Sequence, residues 1–284
     1  MLTLAIQKTG RLSDKTIHLL HECGILFDND GQARLRANAK NFPLQILFLR
    51  DDDIPECVAD HIADAGIIGE NIYHENGRDL VLAEKLGFAR CRLSIAFPKD
   101  RSFKSAKDLN GLKIATSYPN ILTNYLKKNQ ISATIHEING SVEVAPSIGL
   151  SDAIFDIVST GSTLLSNGLR EVETILHSEA VLVSDPEIST EKAVLLEQLR
   201  FRIRSVKKAE RFKYILLNAP REAVGQISSI LPGMKSPTVM PLASEGWCSI
   251  HSVIQEDDFW QIIEQLKKAG AEGILVIPIE KMIL

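Results

Sequence analysis

Hydroxyl side chains surround a glycine directly after one apolar segment of the chain. Residues 152–158 (DAIFDIV) have the composition of a buried strand, and the turn that follows contains Ser159, Thr160, Gly161, Ser162 and Thr163. Backbone N–H groups converge in such a turn and the hydroxyls add donors, so the turn suits a phosphate monoester. Asp156, four residues before Thr160, is placed to accept hydrogen bonds from sugar hydroxyls. The segment therefore predicts a phosphoribosyl ligand.

An ordinary strand followed by a Ser/Thr/Gly turn would contain the same residue types, so the segment alone leaves both interpretations open. It resembles the phosphoribosyl-pyrophosphate signature of phosphoribosyltransferases, in which a hydrophobic strand leads through acidic residues to a Thr-Gly turn. The common form has two adjacent acids, and Phe155 occupies the first of those positions here. This departure argues against the purine-salvage and orotate types of transferase.

The length and amino-acid composition limit the classes of protein to which the chain can belong. The 284 residues suffice for about two domains with a full core. The four cysteines are scattered without metal-ligand spacing, which indicates a reducing compartment, and we expect the cytoplasm.

The chain begins without a basic region before its apolar residues and has no apolar run near the roughly 20 residues that span a bilayer, so we expect neither export nor membrane insertion. A net charge of −4 gives no broad basic footprint, and the basic cluster at 200–211 fits a solvated helix face better than a nucleic-acid site.

Short apolar runs alternate with helical patterns over the first two thirds of the chain, which is typical of α/β architecture with a largely parallel sheet. The predicted strands are 2–6, 46–49, 66–69, 92–97 and 111–117, and the predicted helices are 13–23, 54–65 and 119–128, the last with Pro119 in its first position. Two further predicted strands, 171–176 and 179–183, could return the chain to the first sheet. If the chain returns to the first sheet in this way, it forms two lobes, an arrangement that resembles the fold of periplasmic binding proteins. The cleft beyond the carboxyl ends of the strands is then the expected ligand site.

The last part of the chain has a different pattern. A long helix is predicted over 189–211, as a connector or an oligomer-facing element. It is followed by strands at 214–217, 238–242, 248–254 and 273–277 and helices at 221–231 and 257–269. This order, βαββαβ, predicts a separate ferredoxin-like domain. The predicted division is lobe I over 1–90, completed by about 179–205, lobe II over 91–178, and the C-terminal domain over 212–284.

Two further loops carry cations at predicted strand ends. Lys8 and Arg11 flank the flexible Gly10, where they could hold a pyrophosphate by charge-assisted hydrogen bonds of about 1.5–3 kcal/mol each. A solvated turn is the alternative. Arg50 precedes three acids at 51–53, and helix capping explains the acids but not the arginine.

Acidic and aromatic side chains occupy the remaining loops. Glu70 and Tyr118 each follow a predicted strand, and a helix cap and a surface aromatic are the alternatives for them. Glu143 lies in the first turn of a short predicted helix, for which the hydroxyl of Ser141 is a candidate cap.

Six ordered segments together resemble ATP phosphoribosyltransferase in its long form with a C-terminal regulatory domain. They are 7–13 (QKTGRLS), 50–55 (RDDDIP), 66–71 (GIIGEN), 114–119 (IATSYP), 139–146 (NGSVEVAP) and 156–164 (DIVSTGSTL). The resemblance covers nearly the whole chain. It implies transfer of phosphoribose from phosphoribosyl pyrophosphate to N1 of ATP, the first step of histidine biosynthesis, with Mg²⁺ required. It also implies a homo-oligomer, dimeric or hexameric, that is inhibited by histidine, and it allows AMP as a second inhibitor.

The resemblance also implies roles for individual residues. Four of them are expected to act in catalysis: Lys8, Arg11, Glu143 and Asp156. The residues expected to bind substrates are Arg50, Glu70, Tyr118, Ser159, Thr160, Gly161, Ser162 and Thr163. Histidine is expected to bind near Asn218, Thr238 and Gly273, for which structural turns are the alternative, and the metal ligands are left unassigned.

Two other functions fit parts of the sequence. A two-lobed solute-binding or sensor protein with an added small-molecule domain is disfavoured by the absence of an export signal and by the hydroxyl-rich turn. A salvage transferase for a free nucleobase is disfavoured by Phe155 and by the extra domain. Catalytic turnover distinguishes these interpretations.

Overall fold

The computed structural model describes residues 1–28, 35–231 and 233–283. The chain divides into two compact units, Met1–Glu197 and Gln198–Leu284. Among the described residues, none of the helices combines the length and the apolar content needed to cross a membrane.

The first unit alternates strands and helices as predicted. Its strands are β1 (Leu2–Gln7), β2 (Arg36–Asn38), β3 (Leu44–Leu49), β4 (Ala65–Gly69), β5 (Val81–Lys85), β6 (Cys91–Pro98), β7 (Lys113–Thr116), β8 (Thr134–Glu137), β9 (Ala153–Val158), β10 (Leu169–Ser178) and β11 (Ala180–Ser184). Its helices are α1 (Arg11–Glu22), α2 (Asp53–Ala59), α3 (Glu70–Asn76), α4 (Pro119–Lys128) and α5 (Ser162–Ser166), and α6 (Thr190–Glu210) continues into the second unit. Pro119 is the first residue of α4, as predicted.

The first sheet has the strand order β2-β3-β1-β4-β11-β5. Strands β3, β1 and β4 are parallel, whereas β11 runs antiparallel to β4. Leu4, Ala5 and Ile6 are consecutive in β1 and all fully buried, which means that both faces of the sheet are covered. This covering explains why the strand is a continuous apolar run.

The second sheet has the order β10-β6-β9-β7-β8. Strands β9, β7 and β8 are parallel, and β6 is antiparallel to β9. The chain leaves the first sheet after β5 and returns to it between Ser178 and Ala180. These crossings confirm the predicted two-lobed α/β fold.

The predicted return of residues 171–176 to the first sheet is wrong. These residues belong to β10, which pairs antiparallel with β6 in the second sheet. Glu171 contributes to this pairing, because its carboxylate accepts two hydrogen bonds from Arg92 (both 2.5 Å) and one from Ser94 (2.7 Å) on β6. Of the two strands predicted to return, β11 is the one that pairs in the first sheet.

The second unit has the βαββαβ order that the sequence predicts. Its elements are β12 (Phe212–Pro220), α7 (Val224–Ile230), β13 (Thr238–Pro241), β14 (Trp247–Gln255), α8 (Phe259–Lys268) and β15 (Glu272–Pro278). The strands form an antiparallel sheet of order β13-β14-β12-β15. Alternate residues of β12, from Ile215 to Ala219, pack in one core with Ile227 of α7 and Leu266 of α8. This arrangement confirms the ferredoxin-like fold.

Candidate functional site

The parallel strands of the first sheet end at a common edge. Lys8 follows β1, Arg50 follows β3, and Glu70 follows β4. The first two ends are joined, because the backbone N–H of Lys8 donates to the carbonyl of Leu49 at 2.7 Å. Carboxyl ends of parallel strands are where ligands bind in α/β sheets, so the structure places these three residues where a ligand is expected.

The second sheet presents a corresponding edge. Tyr118 lies just beyond β7 and Ser159 directly follows β9. Ser178, the last residue of β10, and Cys91, the first of β6, pair at this same edge. The chain crosses between the two sheets at this point, so these two sheet edges are adjacent.

A cavity of about 220 Å³ lies at the end of β9. It is lined by Glu143, Ile154, Asp156, Ile157, Val158, Ser159, Thr160, Gly161, Thr163 and Leu164. The cavity therefore brings together six of the predicted site residues, from two separate segments of the chain. Ser162, a seventh, is held beside it by a 3.0 Å hydrogen bond between its hydroxyl and that of Thr160.

Gly161 gives the turn its shape. Its φ is +82° and its ψ is −1°, the left-handed conformation that other residues rarely adopt. The hydroxyl-bearing residues around it, Ser159, Thr160, Ser162 and Thr163, are exposed. A hydroxyl-rich, exposed turn at the rim of a cavity can accept a phosphate group.

Asp156 lies on the wall of this cavity. The pKa of its carboxyl is raised to about 6, mainly by burial and to a smaller extent by the neighbouring carboxylate of Glu143, against one hydrogen bond from the N–H of Ile157 (2.8 Å) that lowers it. The two carboxylates are thus close enough to repel each other. An acceptor with few protein donors around it is suited to sugar hydroxyls or to a cation.

Arg92 contributes to the turn, although no pattern in the sequence indicates this role. One guanidinium N–H donates to the carbonyl of Ser159 at 3.1 Å, while the other side of the group binds Glu171. The guanidinium holds the pKa of Glu171 down to about 2. An arginine at the start of a strand forms no local motif, and its partners lie far away in sequence.

Tyr118 connects the two edges. Its hydroxyl accepts a hydrogen bond from the side-chain amide of Asn71 (3.3 Å), which lies just after β4 in the first sheet. Burial raises the pKa of Tyr118, and the carboxylates of Asp156 and Asp51 raise it further. Carboxylates of both lobes therefore act electrostatically on Tyr118.

The predicted cationic residues and Glu70 lie outside the cavity at the end of β9. Arg11 and Arg50 are exposed, Lys8 is half-buried, and these three are not among the described residues that line the cavity at β9. Glu70 is buried and paired with Lys85 at 2.7 Å. It lines another cavity of about 220 Å³ at the crossing between the sheets.

Two predicted helix caps are absent. The side chains of Asp52, before α2, and Ser141, before the short 3₁₀ helix Val142–Val144, make no capping hydrogen bond. Asp52 already has a helical backbone conformation, and Ser141 has a φ of +50°, so neither has the extended backbone from which a cap normally bonds. Side-chain capping therefore does not account for these segments.

The predicted regulatory residues lie on the second unit's sheet. Gly273 has a φ of +55° where the pairing of β15 with β12 shifts register, and a side chain there would contact the Asn218 amide. The backbone at this bulge therefore favours glycine. Thr238 lies two strands away from β12, opposite His251 of β14. The imidazole of His251 bonds Tyr214 (2.7 Å) and Ser249 (2.9 Å).

The fold and the site together define a two-lobed α/β protein with a phosphate-type turn, a carboxylate pair and an antiparallel C-terminal unit. Comparison with known families identifies the particular one. The family described as HisG, ATP phosphoribosyltransferase, matches residues 50–205, and the HisG C-terminal domain matches residues 209–281. The chain therefore belongs to the ATP phosphoribosyltransferase family. It is an enzyme, a transferase of the first step of histidine biosynthesis.

Several relatives are similar over the full length. The chain is 58% identical over 283 residues to ATP phosphoribosyltransferase of Cytophaga hutchinsonii, covering 100% of this chain and 99% of the relative. It is 55% identical over 284 residues to that of Bacteroides thetaiotaomicron, covering 100% of both. A chain of the ATP phosphoribosyl transferase (HisG:HisZ) complex from Thermotoga maritima matches with a TM-score of 0.61 and 30% identity, over 72% of this chain and 99% of that one.

Proposed function

We propose that the chain transfers the phosphoribosyl group of phosphoribosyl pyrophosphate to N1 of the adenine ring of ATP, which gives N1-(5-phosphoribosyl)-ATP and pyrophosphate. The observation that carries this proposal is the cavity at the end of β9, where the turn at 159–163 meets the carboxylates of Asp156 and Glu143. A phosphate site beside a sugar-hydroxyl acceptor matches a phosphorylated ribose. Membership of the family supports ATP as the acceptor.

The donor occupies this cavity. The hydroxyls and backbone of Thr160, Gly161, Ser162 and Thr163, with Ser159 before them, hold the 5-phosphate. Asp156 accepts hydrogen bonds from the ribose hydroxyls, a role that needs the carboxylate form and therefore a pH above about 6. Arg92 keeps the end of β9 in place through the carbonyl of Ser159.

The acceptor nucleotide and the leaving group lie toward the first sheet. Arg50, Glu70 and Tyr118 contact the nucleotide, and the carboxylate of Asp156 acts electrostatically on Tyr118. Lys8 and Arg11 stabilise the charge of the pyrophosphate or of the ATP triphosphate. Arg11 is exposed and Lys8 is only half-buried, so both cations are accessible to a highly charged ligand.

The reaction depends on alignment of the two substrates and does not require a nucleophile from the protein. N1 of adenine displaces pyrophosphate at C1 of the ribose, and C1 gains oxocarbenium character as the bond to the leaving group breaks. Fixing the two reactants in line and stabilising the leaving charge supply the rate acceleration. The residues of the site hold phosphate, ribose and pyrophosphate, and none of them is required to form a covalent bond.

We also propose that Mg²⁺ takes part. No group of three or more His, Cys, Asp or Glu side chains suited to a metal occurs in the described part of the chain. Mg²⁺ needs only one or two carboxylates when substrate phosphates and water complete its shell. Glu143 and Asp156 line one cavity and repel each other, so they fit the ion and would hold it together with the donor. When bound, the ion neutralises charge on the pyrophosphate.

Product formation tests the proposed reaction. The protein is mixed with ATP, phosphoribosyl pyrophosphate and Mg²⁺, and substitution at N1 is followed by ultraviolet absorbance. We expect turnover in the wild type and a large loss in Asp156→Asn. Asp152→Asn is the matched control, because Asp152 lies on the same segment but binds Arg101 (3.1 Å) outside the cavity. Absence of product in the wild type would contradict the proposal.

We further propose that the C-terminal domain binds histidine, and AMP is a second candidate inhibitor. A Cβ atom at Gly273 would contact the Asn218 amide across β12 and β15, so the two positions are neighbours, which supports a shared pocket on this face of the sheet, with Thr238 farther along it. Full-length Thr238→Ala and Asn218→Ala should retain basal turnover and lose sensitivity to histidine. Unchanged inhibition would remove these residues from the pocket.

We propose that the enzyme is a homo-oligomer, dimeric or hexameric, in the cytoplasm. The multi-chain complex named for the Thermotoga maritima structure supports assembly, and the four cysteines, present as thiols, fit a reducing compartment. Sedimentation velocity of the purified chain, with and without histidine, measures the assembly state. A monomer at all concentrations would contradict it.

A further inference from the structure

Helix α3 faces the start of α4, although the two helices follow strands of different sheets. Asn71 and Glu75 lie four residues apart in α3, one turn of helix, and therefore on the same face. Both side chains bond residues at or just before the first turn of α4. The contact joins the two lobes beside Tyr118.

Glu75 binds the amino-terminal end of α4. Its Oε1 accepts a hydrogen bond from the N–H of Asn120 (2.8 Å) and its Oε2 accepts one from the N–H of Ile121 (3.0 Å). The amide of Asn120 donates in return to the carbonyl of Glu75 at 2.9 Å. The first N–H groups of a helix lack partners within it, and the helix dipole favours a negative charge there. Glu75 thus supplies from one lobe the cap that α4 lacks in its own sequence.

Asn71 is held at both ends of its side-chain amide. Its Nδ2 donates to the hydroxyl of Tyr118 (3.3 Å), and its Oδ1 accepts from the hydroxyl of Ser178 (3.0 Å). The same hydroxyl accepts a hydrogen bond from the backbone N–H of Asn71 at 3.0 Å. Asn71 and Ser178 are both buried, and a side chain at Gly69 would collide with the Asn71 amide. The amide therefore has a single orientation, with its donor toward Tyr118.

We propose that Asn71 and Glu75 are positioning residues for the acceptor nucleotide. They fix Tyr118 and the first turn of α4 against α3, so that the nucleotide side of the cleft is assembled before ATP binds. This inference rests on the proposed function, in which Tyr118 contacts ATP. Neither residue is expected to touch the phosphate turn, which lies at the end of β9.

The proposal predicts a selective loss of affinity for ATP. In Glu75→Ala and Asn71→Ala the KM for ATP should rise on the order of tenfold, which corresponds to about 1.4 kcal/mol of binding free energy. The KM for phosphoribosyl pyrophosphate and the kcat should change by less than about twofold, since the donor cavity is intact. Glu75→Gln keeps one acceptor oxygen and should fall between the wild type and Glu75→Ala.

Glu56→Gln is the matched control. Glu56 binds Arg78 and Asn76 within the first lobe, so this variant loses a carboxylate contact without touching α4. Calorimetric titration with ATP alone, in the absence of donor, provides a readout that does not depend on turnover. Loss of ATP affinity in both alanine variants, with the control unchanged, supports the proposal.

Three results would overturn it. They are an equal rise in both KM values, unchanged ATP affinity in both alanine variants, and the same loss in Glu56→Gln. A wild type that binds ATP but forms no product would remove the proposed reaction alone, and the positioning inference would still be decided by the ATP titrations. A wild type that binds no ATP would remove both.

Discussion

Replacement of Asp156 by Asn should make the protein more stable near neutral pH while it lowers turnover. The carboxyl of Asp156 has a pKa raised from its ordinary 3.8 to about 6 because burial and Glu143 disfavour its charged form. Above pH 6 the folded protein therefore carries a charge that the unfolded chain accommodates more easily. Asparagine removes the charge and keeps Oδ1 as the acceptor for the N–H of Ile157.

The size of the effect follows from the pKa difference. A pKa that is about two pH units higher in the folded protein than in the unfolded chain corresponds to about 3 kcal/mol of unfolding free energy, at about 1.36 kcal/mol per pH unit. The charged carboxylate reduces stability by this amount above pH 6, and the penalty fades as the pH falls from 6 toward 3.8. Asp156→Asn should thus gain at most about 3 kcal/mol over the wild type at about pH 8 and little at about pH 4.

Urea unfolding of both proteins at these two pH values measures the difference. Asp152→Asn is the control with the opposite sign, because hydrogen bonds from the N–H of Lys113 and from Arg101 lower the pKa of Asp152. It should destabilise the protein at neutral pH. If Asp156→Asn were less stable than the wild type, or if its gain did not depend on pH, the carboxylate would not be the desolvated group described above.

Three further predictions concern the same lobes. Gly161→Val should raise the KM for phosphoribosyl pyrophosphate at least tenfold, because valine disfavours a φ of +82°, and donor titration by calorimetry checks this. Glu171→Gln should destabilise the protein above pH 4.5, and this difference should disappear as the pH falls from 4.5 toward 2, as acid unfolding curves would show. His61→Asn should reduce stability below pH 6.5 but not well above it, because Asp185 (2.5 Å) raises the pKa of His61; equal unfolding curves for the variant and the wild type at pH 5.5 would contradict this.

The sequence contained enough local information to place the main edge of the site. Apolar runs that end in polar residues predicted the strands before Lys8, Arg50 and Glu70, and parallel pairing brings these strand ends to one edge. The second unit was predicted from a similar local signal, because the two central strands of its sheet, β12 and β14, bury alternate residues.

Contacts between distant parts of the chain were not predictable in this way. Strand β10 was assigned to the wrong sheet because its half-buried pattern fits either one, and its partner β6 lies about 80 residues away, as the Arg92–Glu171 pair shows. Asn71 was visible within the segment 66–71, but its bond to Tyr118 spans 47 residues. Nothing in the neighbouring residues indicates that contact.

The starts of helices show a second limit of prediction from local sequence. Acids and hydroxyls before α2 and before residues 142–144 predicted side-chain caps, and none forms, because the backbone of Asp52 and Ser141 is not extended there. At α4 the cap comes from Glu75 of the other lobe, 45 residues from Asn120. Residue type alone predicts which side chains are able to cap a helix, and tertiary structure decides which of them do.

A crystal structure of the chain with phosphoribosyl pyrophosphate and Mg²⁺ would show directly where the donor binds. We expect the 5-phosphate within hydrogen-bonding distance of the turn at 160–163 and the ribose hydroxyls on the carboxylate of Asp156. A 5-phosphate bound away from this turn, with the cavity at the end of β9 containing only solvent, would contradict it.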